Sequence, residues 1–257
     1  MNERPFVLSV AGFDPSSGAG VSADLKTFEM NHTYGLGVCT SITFQNDNEF
    51  DGIEWASFST IQKQIDVLFR KYKIDVIKIG LIHDFIILNN IIDYLISLKS
   101  SIKIIWDPVL KATAGFDFHQ RIDFDLLRKI LSKLFLLTPN IPEVIRLGIN
   151  SNDPSSNAIQ LSRYTNVYLK GGHSNDNNVD DWLFTNSGYY KIEGKRIASG
   201  EKHGSGCVLS AAIAANLAKG ISLKESCINA RLYTHQFLQS TNTLLGYHTI
   251  LQTNENN

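Results

Sequence analysis

Short apolar segments alternate with amphipathic ones along most of this chain, and that alternation restricts the fold more than any other feature. Residues 6–11, 36–44, 75–79, 103–106, 135–137 and 167–169 read as strands. Between or after them, residues 21–31, 61–72, 86–98, 124–134, 206–218 and 223–239 carry helical spacing. Residues 182–185 and 189–192 read as a hairpin turned by Asn186-Ser187-Gly188. Strands that are apolar throughout, separated by helices, predict an α/β fold with a mainly parallel central sheet and helices on both faces. No Pro/Gly/Ser linker or composition break divides the chain, so residues 1–257 are expected to form a single domain. Residues 151–157 read as a loop within it, and the polar tail, about 252–257, as frayed.

Composition narrows the class. Hydrophobic residues make up 43% and charged residues 19% of the 257, which suits a globular protein with a sizeable core. A net charge of −1 gives no electrostatic case for nucleic acid or an anionic membrane. No apolar run approaches the roughly 18 residues of a membrane span. Residues 1–5 lack a signal-peptide pattern, so the expected location is the cytoplasm. Three unpaired cysteines argue against a disulfide framework or a structural zinc site. Cys39 and Cys227 lie in strand and helix patterns and read as packing residues.

In a parallel sheet, ligands gather at the carboxyl ends of the strands. Those ends carry Gly12-Phe13-Asp14-Pro15, Gln45-Asn46, Lys78-Ile79-Gly80, Asp107-Pro108-Val109, Thr138-Pro139-Asn140 and Lys170-Gly171-Gly172. His203-Gly204-Ser205-Gly206-Cys207 then runs into the alanine-rich helix predicted over 206–218. A helix start offers free N–H groups and the positive end of a dipole, a ready site for phosphate. Cys207 falls in the first turn, where the dipole is expected to pull its thiol pKa down. An anion cradle beside a proton acceptor points to phosphoryl transfer onto a hydroxyl group. Packing alone is the plainer reading of such a junction, since a free Cys is often a small buried hydrophobe.

The ordered set of motifs carries a resemblance. Ala11-Gly12-Phe13-Asp14-Pro15-Ser16-Ser17-Gly18-Ala19-Gly20 and Ala23-Asp24-Leu25-Lys26-Thr27 resemble the opening of the hydroxymethylpyrimidine/phosphomethylpyrimidine kinases. These are thiamin-synthesis enzymes of the ribokinase-like superfamily. The strand-end motifs above, Ile141-Pro142-Glu143, His173, Asp181-Trp182-Leu183-Phe184 and the Cys207 loop follow in family order over about residues 6–240. The resemblance implies a ribokinase-like domain. It also implies transfer of phosphate from ATP, with Mg2+, to 4-amino-5-hydroxymethyl-2-methylpyrimidine and then to its monophosphate. The partners implied are the small pyrimidine and a second copy in a homodimer.

By the same resemblance Cys207 is the proton acceptor, and Gly204, Ser205 and Gly206 form the anion hole with it. Asp24 and Gln45 bind the pyrimidine edge, with Gly12, Ala19, Gly80 and Val109 around the ring. Lys170, Gly172 and Asn140 serve the nucleotide, and Glu143 and Asp107 the metal. Plainer roles stand beside these: Asp24 as an acid early in a helix, Glu143 as a helix-start acid after Pro142, Lys170 as a turn lysine. His173 and His203 read as scaffold. The chain departs from the family at Ser17, Ser22, Leu81, Lys202, Ala112-Thr113-Ala114-Gly115 and Gly246-Tyr247-His248. Two other functions share features with this reading: a pyridoxal/pyridoxine kinase of the same fold, and a non-catalytic pyrimidine-binding sensor.

Overall fold

The computed structural model describes residues 3–111, 122–148, 152–171, 179–194, 197 and 201–250. The described residues form a nine-stranded sheet in the order β3-β2-β1-β4-β5-β6-β7-β8-β9. Its strands are β1 (Phe6–Phe13), β2 (Tyr34–Gln45), β3 (Phe50–Trp55), β4 (Ile74–Ile79), β5 (Lys103–Trp106), β6 (Leu136–Leu137), β7 (Asn166–Leu169), β8 (Asp181–Thr185) and β9 (Gly188–Ile192). From β2 to β7 every neighbouring pair is parallel, while β3, β8 and β9 pair antiparallel at the two edges. The mainly parallel sheet expected from the sequence is therefore present.

Helices cover both faces. Alternate side chains of one strand enter different cores, as the two-residue period of a strand requires. Val7, Val76, Ile105, Leu136 and Tyr168 pack with α1 (Gly20–Met30), α7 (Ser205–Ala218) and α8 (Leu223–Leu238). Leu8, Ile77, Ile104, Leu137 and Val167 pack with α2 (Phe58–Phe69), α3 (Phe85–Leu98), α4 (Phe124–Leu131), α5 (Ile141–Leu147) and α6 (Pro154–Leu161). Helix α7 is buried from Val208 to Leu217. Its alanines let α1 and α8 approach closely, which holds its N-terminus firmly against the sheet. Among the described residues no helix is long and apolar enough to cross a membrane.

Some local expectations fail for stated reasons. Residues 151–157 are not all loop: α6 begins at Pro154, with Asp153 capping the Ser156 amide at 2.9 Å. Asp followed by Pro is a strong helix-start signal, an N-cap before a proline at N1. Strand β3 and helix α5 also lack a clear sequence pattern, being a half-exposed edge strand and a seven-residue helix. The 112–115 loop and the 252–257 tail lie outside the described residues.

The chain after α8 folds back over α1 and α8. His248 Nδ1 is 3.1 Å from the Tyr233 hydroxyl and 3.4 Å from that of Thr27, and its ring packs on Phe237. Burial, with help from Lys26, lowers the His248 pKa to about 4. A histidine held neutral by the fold favours the native state fully above its free pKa, near 6.5. That contribution is lost as pH falls toward 4, because the unfolded state then binds the extra proton. We expect an acid-side loss of about 2–3 kcal/mol between pH 6.5 and 4 from this residue. Thermal melts across that range check it: His248→Phe should flatten that part of the profile.

Candidate active site

The strand order reverses between β1 and β4, since the chain builds β1, β2 and β3 to one side and β4 to β9 to the other. Such a switch point opens a crevice at the carboxyl ends of its strands. Gly12 and Gly80 lie at those two ends, and the Gly80 amide donates to the Val10 carbonyl at 2.9 Å. A Cβ on Gly80 would stand 3.1 Å from both Ala11 Cβ and Lys78 Nζ, so glycine leaves the floor of the crevice open. Gly80 and Val109 line one small pocket with Ile82, Phe85 and Trp106. Gln45 ends β2 on the same rim and is partly exposed.

The Gly12–Gly20 loop folds on Asp14. Its carboxylate accepts the Ser16 amide at 2.9 Å, the Ala19 amide at 2.8 Å and the Ser16 hydroxyl. His203 Nε2 lies 2.9 Å from Asp14 Oδ2, and both side chains are buried. This pairing clamps the first loop to the Cys207 loop, the scaffold role expected of His203. Asp14 is pulled below the usual carboxylate range by His203, Ser16 and the Ala19 amide, against an opposing burial effect that is the largest single contribution.

Gly204 caps α7 with φ +73°. A Cβ there would come within 2.0 Å of the Gly18 carbonyl oxygen, so only glycine fits between the two loops. Val208 donates to the Gly204 carbonyl at 3.0 Å, and the amides of Gly206 and Cys207 in the turn before it have no intrahelical acceptor. The Lys170 ammonium stands 3.4 Å from where a Gly206 Cβ would be. A cation thus stands beside the free amides at the head of α7, two features that favour an anion.

Lys170 also draws the strand-end acids together. Its Nζ lies 2.8 Å from Asp107 Oδ1 and 3.8 Å from Glu143 Oε2. Thr138 also donates to Asp107 Oδ1 at 3.1 Å, and the Ser210 hydroxyl lies 3.1 Å from Oδ2. Asp107 is thus engaged by Lys170 on one oxygen, and among the described residues its other oxygen meets only the Ser210 hydroxyl. Asn140 and Glu143 form a capping box at the start of α5. The Glu143 amide donates to Asn140 Oδ1 and the Asn140 amide to Glu143 Oε2, both at 2.8 Å. Glu143 Oε1 has no partner among the described residues. Burial lifts the Glu143 pKa to about 7, Lys170 restraining the rise and Asp107 adding to it. Such a carboxyl favours an added cation, and one oxygen acting through water suits Mg2+. Among the described residues no three His, Cys, Asp or Glu side chains converge into a group able to hold a metal ion.

Two expectations at Cys207 and Asp24 are overturned. The Cys207 thiol is not lowered; burial pushes it up to about 11. Lys78 and the Gly20 amide favour the thiolate, but Asp24 and Asp107 add to the rise, and desolvation outweighs the helix-start effect. Asp24 does not face a substrate edge. Its side chain is fully buried, paired with Lys78 Nζ at 3.0 and 2.9 Å and accepting the Ser9 hydroxyl at 2.5 Å. Lys78 is the residue that sequence reasoning passed over. The signal was available: Lys78 stands between Ile77 and Ile79 in an apolar run and shares one strand face with Val76 and Gly80. Gly172 lies outside the described residues.

With this geometry in place, the comparisons are specific. The sequence model of the phosphomethylpyrimidine kinase family matches residues 14–252. A hydroxymethylpyrimidine/phosphomethylpyrimidine kinase of Staphylococcus aureus is 35% identical over 250 residues, covering 94% of this chain and 90% of that protein. The phosphomethylpyrimidine kinase of Clostridium difficile superposes with a TM-score of 0.76 at 27% identity, covering 91% of this chain and 99% of that one. The pyridoxal kinase of Staphylococcus aureus, solved with AMP-PCP and pyridoxal, gives a TM-score of 0.80 at 25% identity, covering 93% and 89%.

Proposed function

This chain belongs to the phosphomethylpyrimidine kinase family, and on that premise we propose that it phosphorylates 4-amino-5-hydroxymethyl-2-methylpyrimidine and then its monophosphate, using ATP, in thiamin biosynthesis. The observation that carries the reading is the head of α7. There Lys170 stands beside the Gly206 position, where the first-turn amides lack intrahelical acceptors, and Cys207 supplies a titratable sulfur in the same turn.

In this reading the pyrimidine lies across the crevice between Gly12, Ala19, Gly80 and Val109, with Gln45 on its polar edge. Its hydroxymethyl oxygen forms a bond to the γ-phosphorus as the bond from that phosphorus to the bridging oxygen of ADP breaks. The hydroxyl proton passes to the Cys207 thiolate, and ADP leaves with the electron pair. Amides of Gly206 and Cys207 take up charge on the transferred phosphoryl group, while the Ser205 amide is held by the Lys202 carbonyl at 3.3 Å and stays out of the anion hole. Lys170 and the Asn140 side-chain amide serve the nucleotide phosphates. Glu143 would hold Mg2+ through water, and that ion supplies charge neutralisation on the phosphates when bound. Asp24 supports the floor of the site through Lys78 and makes no substrate contact.

A thiol near 11 is almost wholly protonated at neutral pH. The active fraction should then grow about tenfold per pH unit through pH 7–9, and kcat/KM, which reports the free enzyme, should grow with it. A flat profile over that range would remove thiolate chemistry from the reading.

The direct test incubates the purified protein with Mg-ATP and, separately, hydroxymethylpyrimidine, its monophosphate and pyridoxal, with products identified by mass spectrometry. Mono- and diphosphate formation supports the proposal. Preferential turnover of pyridoxal would replace it with the vitamin kinase of the structural neighbour.

A further inference from the structure

The small pocket beside Gly80 and Val109 is the part of the crevice that the phosphoryl-transfer scheme does not use. Its other walls are Ile82, Asp84, Phe85, Leu88 and Trp106, and it measures about 210 Å³ with its open mouth. A site for a whole ligand typically spans about 300–1,000 Å³, so this one suits a substituent rather than a ring. Leu88 and Trp106 are buried, whereas Val109 is half-buried. Phe85 and Trp106 meet edge to face with ring centroids 5.8 Å apart, which fixes two of the walls. The Asp84 carboxylate is already engaged: it accepts the Ile87 amide at 2.7 Å and lies 2.8 Å from His83 Nδ1. The pocket therefore meets an incoming group with apolar walls of fixed size.

The position of the pocket relative to α7 decides which group that is. Helix α7 packs on one face of the sheet with Val76 and Ile105. Ile82, Phe85, Leu88 and Trp106 belong to the core on the other face. Gly80 and Val109, at the strand ends, border both the crevice and the pocket. In a pyrimidine ring, C2 and C5 lie opposite one another. A ring whose C5 hydroxymethyl group is turned to the head of α7 therefore presents C2 toward the opposite core. We propose that this pocket receives the C2 substituent of the substrate, with Leu88 and Trp106 as the walls that limit its size. A methyl group enters, and a branched alkyl group does not. The proposal rests on the reading that places a pyrimidine in the crevice.

The test is a competition in one tube between the 2-methyl pyrimidine and its 2-isopropyl and 2-unsubstituted analogues. Products are counted by mass spectrometry, and the Kd of each compound is measured by titration calorimetry. Within one enzyme the ratio of products cancels any general loss of activity or folding, so a merely structural role of Leu88 leaves it unmoved. The native protein should prefer methyl over hydrogen, and methyl over isopropyl, each by about tenfold or more. Leu88→Ala should move the isopropyl-to-methyl ratio about tenfold or more toward isopropyl. Leu88→Met conserves volume and should keep the native ratio. Equal native turnover of the methyl and isopropyl compounds, or a Leu88→Ala ratio close to native, overturns the proposal. Should Leu88→Ala fail to fold, Val109→Ala trims the half-buried wall and is read by the same ratio, and an unmoved ratio again overturns it. The Kd ratios carry the same test where binding occurs without turnover. Failure of the underlying reading looks different, since no pyrimidine is then bound or phosphorylated, and the proposal falls with it. Turnover with an unmoved ratio removes the pocket and keeps the reading.

Discussion

Replacing Cys207 by Ala should lower kcat by about 10²–10⁴-fold, the usual worth of a positioned proton acceptor, while KM for the pyrimidine changes little. The sulfur stands at the head of α7, where Ala is a good helix residue and no packing is lost that the fold cannot absorb. The thermal midpoint should therefore stay close to native. This separates chemistry from stability, because a drop in both would mark Cys207 as a packing residue. Cys207→Ser is a second probe, since a hydroxyl in the same place is far harder to ionise and should remain slow. Single-turnover experiments by rapid quench, with the pyrimidine bound at saturation, read the chemical step directly. A Cys207→Ala enzyme within threefold of native in that assay would leave the backbone amides and Lys170 as the whole of the machinery.

The second large effect is expected at Gly204. Gly204→Ala asks a residue with a Cβ to hold φ +73°, at a cost of about 1–2 kcal/mol. The greater cost is steric: the new carbon would stand 2.0 Å from the Gly18 oxygen and 2.8 Å from the Ala19 Cα, and both are backbone. Neither can swing aside as a side chain would, so the two loops must part. Loss of a single aligned donor typically costs 10²–10³-fold in kcat, and parting the loops misaligns several. Turnover should fall at least that far, with a lower thermal midpoint. Gly220→Ala is the internal control. Gly220 also has positive φ, +80°, but a Cβ there meets nothing within 4 Å. It should carry the backbone cost alone, with native kcat.

The features that hold this fold together differ in how plainly they are written in the sequence. Strands β1 and β4 are buried over most of their length, so their runs are mainly apolar and stand out, with Ser9 buried in β1 and Asp75 exposed near the start of β4. Lys78 breaks that run, and its exception marks the site. Strand β3 pairs only at the sheet edge and is half-exposed, so solvent tolerates almost any pattern there. Helix α5 is specified by its cap rather than its length: Asn140, Pro142 and Glu143 fix its start, while seven residues give no helical period. The strand-end motifs were legible because the fold class says where ligands bind. The states of Asp24 and Cys207 were not, because each depends on desolvation and on charges brought from distant parts of the chain. Cys207 was judged by its place on a helix, yet four charged side chains from separate elements act on it. A sequence shows which elements end at the site and leaves undetermined how far their charges balance.

The folded-back segment after α8 bears on how the protein is handled at the bench. Leu244 offers its carbonyl to the His203 amide at 2.9 Å, Thr241 offers its own to Lys202 Nζ at 2.8 Å, and Leu245 lies against Gly18. These residues brace the two loops that meet at Gly204 from behind. A shortened expression clone that stops after α8, or a fusion joint placed inside residues 241–250, would remove that brace while leaving the sheet and the helices intact. Such a product should keep most of its far-ultraviolet signal but melt earlier, with Phe237 uncovered, and turn over poorly. Libraries and tagged versions should keep the chain through residue 250 and place the added sequence at the opposite terminus.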